Sequence, residues 1–402
     1  FNKVLSVVVA SAMVMAMAGC GNTDNGSAAT GTNAATESAA ADNGAASGSV
    51  FKIGGIGPTT GGAAVYGLAV QHGAEIAVEE INAAGGINGY QVEFKFQDDE
   101  ADAEKSVNAY NALKDWGAQI IDGSTTSGAC IAVTDKTKED NMFQITPSGS
   151  AVECVQYDNN FRVCFSNPNQ GLASAQYIGE NGLAEKIAVI YDSSDVYSSG
   201  IYEKFVKEAE NQPFEVVAAE AFTADNKTDF SVQLQKAKDA GADMVFLPIY
   251  YQESALILTQ AAAMGYAPKW FSCDGMDGIL GGVDNFDVSL TEGVMLLTPF
   301  AADATDDLTQ SFVTKYKEKY GETPNQFAAD SYDAIYVIKA AIEKSGVTPD
   351  MSVSDICDGM KAAMTEITVD GLTGNGMTWT ADGEANKAPK AVVIENGAYK
   401  AM

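Results

Sequence analysis

The stretch Ile145-Thr146-Pro147-Ser148-Gly149-Ser150 joins a short apolar run to a loop that carries two hydroxyl groups. The run from Met142 to Ile145 predicts a buried strand, and Pro147 ends its ladder because proline has no N–H to donate. Beyond Pro147, the loop offers N–H groups and hydroxyls at the carboxyl end of a strand, where open α/β sheets bind ligands. An ordinary serine-rich turn fits the same residues, so this stretch alone leaves both interpretations open.

Outward from this loop, strand-like and helix-like runs alternate, which predicts βαβ units and parallel sheets. A first series runs from the strand Val50–Ile56 to the strand at Met142. A second series begins after Asn167-Pro168 and ends with the strand Trp270–Cys273. Two successive series predict two Rossmann-like α/β lobes. The later segments, which include a helix at Phe327–Lys344, are explained if the chain returns to the first lobe and then to the second.

Length and charge exclude several classes of protein. The 402 residues exceed one ordinary domain of about 100–200 residues, so two lobes are expected on this ground too. The formal net charge is −30, from 54 acidic and 24 basic residues. Nucleic acids and anionic lipid surfaces need a basic footprint. The sequence therefore predicts no nucleic-acid partner.

Two scarce residue types limit the chemistry further. His72 is the only histidine and Arg162 the only arginine, so neither a multi-histidine metal site nor a multi-arginine anion clamp can form. The glycine-rich run Gly54–Gly62 lacks the spacing of a dinucleotide fingerprint. A Ser-His-Asp hydrolase would have to use His72, which falls inside the first predicted helix. We therefore expect no metal, no cofactor and no catalysis, and an anion held by hydroxyls, backbone N–H groups and helix N-termini.

The N-terminus carries a targeting signal. Val4 to Ala18 is a short apolar run after Lys3, as in a signal peptide, here residues 1–19. Met17-Ala18-Gly19-Cys20 resembles a bacterial lipobox, in which Cys20 becomes lipidated. An N-terminal anchor helix with an accidental cysteine is the alternative. Residues 20–49 are rich in Ala, Gly, Ser, Thr and Asn and predict a flexible tether. We expect an extracytoplasmic body anchored to the cell membrane by lipid.

A set of short motifs runs through the chain from Val50 to the C-terminus. They are Tyr66-Gly67, Gly73-Ala74, Ile81-Asn82-Ala83-Ala84-Gly85-Gly86-Ile87-Asn88-Gly89, Asp98-Asp99, Ile145-Thr146-Pro147, Phe161-Arg162, Gln170-Gly171 and Asp192 to Tyr197. In these motifs the chain resembles the leucine/isoleucine/valine-type substrate-binding proteins of ABC importers. The resemblance implies a type I periplasmic-binding fold, in which two α/β lobes, here 50–166 plus 299–372 and 167–298 plus 373–402, are joined by three crossovers and close over a ligand. The crossovers would fall near Ser166–Pro168, Thr298–Pro299 and Leu372–Thr373.

The resemblance also implies the site and the partners. Ser127, the Ser148 backbone and Ser150 would hold the α-carboxylate of an amino acid, and Asp274, with Tyr250 beside it, would hold the ammonium. The implied partners are a small zwitterionic ligand, namely a branched-chain or other apolar amino acid, and an ABC permease. The protein is expected to be monomeric. The side-chain pocket would be lined by Tyr66, Tyr197, Tyr250 and Phe327.

Two features depart from the family pattern. The family usually presents a glutamate where this chain has Asp274, which puts the identity of the ligand in doubt more than its class. The first-lobe disulfide of some members is missing, and Cys154 and Cys164 instead flank a polar turn. In an exported protein these two cysteines could close a disulfide, but spacing alone does not decide between a bond and two free thiols. We expect the other cysteines of the body, Cys130, Cys273 and Cys357, to be buried thiols.

Two alternatives to the importer remain open at this point. The same two-lobed module serves as the ligand-sensing part of signalling systems, where closure transmits a signal. A binding protein for a small carboxylate or amide that is not an amino acid is the other alternative.

Overall fold

The computed structural model describes residues 48–402. The predicted signal peptide (1–19), Cys20 and nearly all of the predicted tether (20–49) lie outside these residues. Within residues 48–402, no helix combines the length and the apolar character needed to cross a membrane.

The first sheet has five parallel strands in the order β2-β1-β3-β4-β5. Its central strands are buried along almost their whole length, because helices cover both faces. As predicted, β4 ends at Thr146, directly before Pro147. The elements of this part of the chain are β1 (Phe51–Gly57), α1 (Ala64–Ala83), β2 (Val92–Asp98), α2 (Ala103–Trp116), β3 (Ile120–Asp122), α3 (Ser127–Asp140), β4 (Phe143–Thr146) and β5 (Asn160–Arg162).

The second sheet has seven strands in the order β12-β11-β10-β9-β8-β6-β7. Strands β6 to β10 are parallel, whereas β11 and β12 run antiparallel at one edge. The elements are α4 (Asn167–Glu180), β6 (Lys186–Asp192), α5 (Val196–Ala209), β7 (Glu215–Phe222), α6 (Ser231–Asp239), β8 (Met244–Leu247), α7 (Tyr251–Ala263), β9 (Lys269–Ser272), β10 (Met295–Thr298), β11 (Lys390–Glu395) and β12 (Ala398–Ala401).

Both sheets repeat one topology. In each, the second strand of the series lies outside the first, and the third, fourth and fifth follow on the other side. This order places a topological switch point beside the first strand, at the carboxyl ends where doubly wound sheets bind ligands. The predicted fold class of two Rossmann-like α/β lobes is confirmed. Three further helices, α8 (Asp307–Tyr320), α9 (Gln326–Ser345) and α10 (Val353–Met364), pack on the first lobe.

The chain passes between the sheets three times. The first passage lies between β5 and α4, and the second between β10 and α8. The third is later than the predicted Leu372–Thr373. Gly383 still accepts a hydrogen bond from the Arg162 N–H in the first lobe, at 3.1 Å, and Lys387 pairs with Asp330 of α9 at 2.7 Å. The chain joins the second sheet only at Lys390, because residues 377–386 fold against the edge of the first sheet.

Two strands were missed by the sequence analysis. β5 is a three-residue strand of mixed polarity next to the turn at Gln156–Asn160, and β12 is a mostly exposed hairpin partner of β11. The strand predicted near Met377–Trp379 is present only as isolated bridges to Val369 and Ala385.

Candidate functional site

Side chains from the carboxyl ends of both sheets enclose a cavity of about 10 Å³ between the lobes. This volume is room for about one water molecule, so the lobes are closed on each other. The structure brings together seven of the eight residues that we predicted for a binding site, all except Ser150. The lining residues are Tyr66, Thr125, Thr126, Ser127, Ser148, Tyr197, Tyr250, Asp274, Gly275 and Phe327.

The first lobe contributes hydroxyl groups at the start of α3. Ser127 Oγ accepts the N–H groups of Ser150 at 3.2 Å and Ala151 at 3.1 Å. Ser148 Oγ donates to the carbonyl of Thr125 at 2.6 Å. Two amides use the acceptor capacity of Ser127 Oγ, so its O–H is left as a donor, with the cavity and the Ser150 hydroxyl oxygen both within reach. Ser150 is fully buried behind Ser127, 3.5 Å from it between hydroxyl oxygens, and therefore supports Ser127 from behind.

Arg162 holds the loop that carries these serines. Its side chain is fully buried and donates to the carbonyls of Gly149 at 3.2 Å and Ala151 at 2.9 Å. Its Nε lies 3.3 Å from the carboxylate of Glu384. This guanidinium therefore holds the loop in place without lining the cavity.

The second lobe contributes one carboxylate, Asp274, two residues after the end of β9. Its Oδ1 accepts the Tyr197 hydroxyl at 2.6 Å and the Gly275 N–H at 2.8 Å, and its Oδ2 accepts Gln170 Nε2 at 3.0 Å. Burial raises the pKa of this carboxyl to about 6, although the bonds from Tyr197 and Gln170 lower it. Within residues 48–402, no lysine or arginine pairs with Asp274. A cationic group in the cavity would supply the missing opposite charge.

Aromatic rings form the rest of the wall and also join the lobes. The ring centroid of Tyr66 lies 4.4 Å from that of Phe327 and 5.5 Å from that of Tyr250. The Tyr66 hydroxyl donates to the carbonyl of Gly275 and accepts the N–H of Tyr251, both in the second lobe. Tyr66 is therefore both a wall of the cavity and a contact that keeps the lobes together.

Sequence reasoning gave no role to four residues of the site. Gln170, at the start of α4, orients Asp274, and its place just after the first crossover was the available signal. Gly275 must lack a side chain, because a Cβ there would lie 2.5 Å from the Tyr197 hydroxyl. Thr125 and Thr126 precede Ser127, and Thr126 Oγ1 is buried without a hydrogen-bond partner in the described chain.

The disulfide considered between Cys154 and Cys164 is absent from the described structure, and both thiols are free and buried. Cys154 lies on a 3₁₀ turn that packs on α3, where its thiol contacts that of Cys130. Its Sγ points to the Ser127 carbonyl at 3.7 Å. This orientation turns the thiol toward α3, so that Cys130 rather than Cys164 is its neighbour.

The single histidine of the sequence does not line the cavity. His72 lies in α1, stacked on Tyr320 with 3.6 Å between ring centroids. Among residues 48–402, no three His, Cys, Asp or Glu side chains form a metal-binding group.

Comparison with known proteins identifies the family. A model of the periplasmic binding protein family matches residues 50–398. Leu/Ile/Val-binding protein homolog 3 of Brucella melitensis is 31% identical over 300 residues, which are 74% of this chain and 80% of that protein. The leucine-, isoleucine-, valine-, threonine-, and alanine-binding protein of Pseudomonas aeruginosa is 30% identical over 303 residues, 74% of this chain and 79% of that protein.

A solved structure extends the match. The branched-chain amino acid transporter substrate-binding protein of Streptococcus pneumoniae, in complex with isoleucine, aligns with a TM-score of 0.78 at 28% identity. The alignment covers 88% of this chain and 99% of that one. The family indicated by the motifs around Tyr66, Ile81–Gly89 and Pro147 is thereby confirmed, and this chain is a member of the periplasmic binding protein family.

Proposed function

We propose that this protein is an extracytoplasmic receptor of an ABC importer that binds a branched-chain or other apolar amino acid by hinge closure. The observation that carries the proposal is the polarity of the central cavity. Hydroxyl and N–H donors lie on one lobe, and a buried carboxylate without a cationic partner lies on the other. A zwitterion satisfies both sides at once. The two relatives described above, named for binding leucine, isoleucine and valine, support the same ligand class.

In the proposed complex the α-carboxylate faces Ser127 and Ser148. The O–H of Ser127 donates to it, and the N-terminus of the 14-residue helix α3 adds a favourable dipole. The ammonium faces Asp274, and the apolar side chain of the ligand packs against aromatic rings. Ser150, which the resemblance placed on the carboxylate, acts in this proposal through Ser127.

Closure follows from the division of the site between lobes. Because the cavity has room for about one water molecule, an amino acid enters only when the lobes separate. Once bound, the ligand contacts both lobes and so favours the closed form over the open one. A permease can then recognise the closed shape. The protein performs no chemical step in this scheme.

We also propose that a lipid on Cys20 anchors the protein outside the cytoplasmic membrane and that the body acts as a monomer. The residues Met17-Ala18-Gly19-Cys20 and the polar segment that follows them support the anchor. Metabolic labelling with a fatty acid, compared between the protein and Cys20→Ala, tests this point: label on both proteins would contradict it.

The ligand is tested by calorimetry and thermal shift with the twenty amino acids and with uncharged or anionic analogues. We expect leucine, isoleucine or valine to bind one to one and to raise the unfolding midpoint by mass action. 4-Methylvalerate and isoamylamine, which are leucine without its ammonium or its carboxylate, are the matched controls and should bind far more weakly. Tight binding only by ligands that lack an ammonium group would overturn the proposal.

A further inference from the structure

A second and larger cavity, of about 480 Å³, lies between the lobes. It shares no lining residue with the central cavity. Its apolar wall comes from both lobes, since α1, α8 and the segment before α9 belong to the first lobe and the residues after Asp274 and β12 to the second. The apolar side chains that line it include Val65, Leu68, Leu280, Tyr316, Pro324 and Tyr399.

One buried carboxylate, Asp277, lies at the floor of this second cavity. Only 5% of the residue is exposed. Its Oδ2 accepts the N–H of Gln326 at 2.9 Å across the lobes. The Tyr399 hydroxyl, which accepts the Gly278 N–H at 3.3 Å, also faces this carboxyl. Burial raises the pKa of Asp277, and the neighbouring Gln326 N–H and Tyr399 hydroxyl lower it. A cationic group beside the carboxylate would supply an opposite charge that the described residues do not provide.

The charges around the cavity favour a cation over an anion. At its exposed rim, Asp303 and Glu322 are balanced by Lys317 and Lys400. No lysine or arginine among residues 48–402 forms an ion pair with Asp277, so the buried floor carries the one uncompensated negative charge. An ammonium on an apolar body matches this combination of floor and walls.

We propose that this cavity is a second ligand site, for a small organic amine whose ammonium binds Asp277 and whose apolar body packs against Val65 and Leu280. Such a ligand touches both lobes. If the proposed function holds, it also favours closure and raises the affinity of the central site for its amino acid, and the amino acid raises the affinity for the amine by the same factor. Binding of the amine itself does not depend on the proposed function.

The test uses 2-phenylethylamine as the probe, measured by calorimetry on Asp274→Ala protein so that the central carboxylate cannot hold it. We expect one equivalent to bind, with at least tenfold weaker binding of the uncharged 2-phenylethanol. When Asp277→Asn is introduced into the Asp274→Ala protein, the amine should bind at least tenfold more weakly. No amine binding to Asp274→Ala protein, or equal binding with and without Asp277→Asn, would overturn the proposal.

A second variant tests the same site without changing Asp277, in case the substitution of Asp277 disturbs folding. Gly281 lines the cavity, and a Cβ added there meets no atom within 4 Å. Gly281→Leu should therefore fold normally, occupy part of the cavity and weaken amine binding at least tenfold, whereas unchanged binding would contradict the site. Leucine titrations of the parent protein separate the two proposals. Amine binding without leucine binding would contradict the proposed function and would still support the second site.

Discussion

In the first lobe, the carboxyl ends of the strands present uncharged polar groups to the central cavity, chiefly Ser127 and Ser148. In the second lobe, strands in the same order present Asp274 and two tyrosines, Tyr197 and Tyr250. The shared topology brings both sets to one place, and the loop residues alone give the two walls their different chemistry. In the proposed complex, each end of the ligand is therefore recognised by a different lobe.

The two lobes also differ in how their polar groups are held. In the first lobe, backbone groups fix Ser127 and Ser148, and Arg162 holds the loop behind them through its carbonyls. In the second lobe, Asp274 is fixed by the side chains Tyr197 and Gln170. The polar groups of the first wall are thus uncharged hydroxyls on a loop held by backbone hydrogen bonds. The second wall contains an ionisable carboxyl that is held by other side chains.

Substitution of the second-lobe carboxylate should have the largest effect. We expect Asp274→Ala to weaken amino-acid binding by about 2–5 kcal/mol, or about 30-fold to a few thousand-fold, because it leaves the ligand ammonium buried and unpaired. Calorimetry with leucine measures the change. Asp284→Ala, an exposed carboxylate in the segment between β9 and β10, is the matched control and should bind like the parent. If Asp274→Ala bound leucine with unaltered affinity, Asp274 would not be the residue that binds the ligand ammonium.

Substitution of the first-lobe hydroxyls should have the second-largest effect on ligand affinity. It also distinguishes the roles of two serines. Ser127→Ala removes a donor to the carboxylate, which costs about 1.5–3 kcal/mol, or about 10- to 150-fold in affinity. Ser150→Ala keeps the N–H that bonds Ser127 and should cost less than about threefold. If Ser150→Ala weakens leucine binding as much as Ser127→Ala, the Ser150 hydroxyl contacts the ligand directly, as the resemblance implied.

The lobes should also respond differently to pH. Asp274 is protonated below its pKa of about 6 in the ligand-free protein, and binding of an ammonium requires the ionised form. Affinity for leucine should therefore be constant above about pH 6 and fall about tenfold for each pH unit below it. Asp330, whose charge also raises the pKa of Asp274, lies near, so Asp274→Asn is the necessary control. A pH profile that keeps its shape in Asp274→Asn would assign the titration to another group.

Much of this comparison could be predicted from the sequence. Strand ends marked by apolar runs and by Pro147 located the loops, and the resemblance assigned seven residues that line one cavity in the structure. The position of Ser150 could not be predicted, because chain spacing does not tell which of two neighbouring hydroxyls faces the cavity. The position of the third crossover, after Lys387, could not be predicted for a similar reason. The contacts of Gly383 and Lys387 with the first lobe arise from tertiary packing.

The second cavity could not be predicted from the sequence either. Asp277 is one of several acidic residues that follow β9, and only its burial against Gln326 of the other lobe distinguishes it. Contacts between lobes depend on the angle of closure, which no local pattern of residues encodes.

The smallest expected effect concerns the contact that joins the two walls. Tyr66→Phe keeps the ring of the first lobe but removes the hydroxyl that bonds Gly275 and Tyr251 of the second. Losing this contact should destabilise the closed form by about 0.5–1.5 kcal/mol, or about two- to twelvefold in affinity for leucine. Calorimetry gives the affinity, and small-angle scattering gives the radius of gyration of the ligand-free protein, which should increase.

Tyr336→Phe is the matched control for this last substitution, because the Tyr336 hydroxyl bonds Glu80 within the first lobe, at 2.9 Å. It removes a tyrosine hydroxyl bond of the same kind without touching the second lobe, so affinity and radius of gyration should stay at the parent values. If Tyr66→Phe and Tyr336→Phe behave alike, the Tyr66 hydroxyl does not hold the lobes together, and closure rests on the ligand and on the Gln326–Asp277 contact.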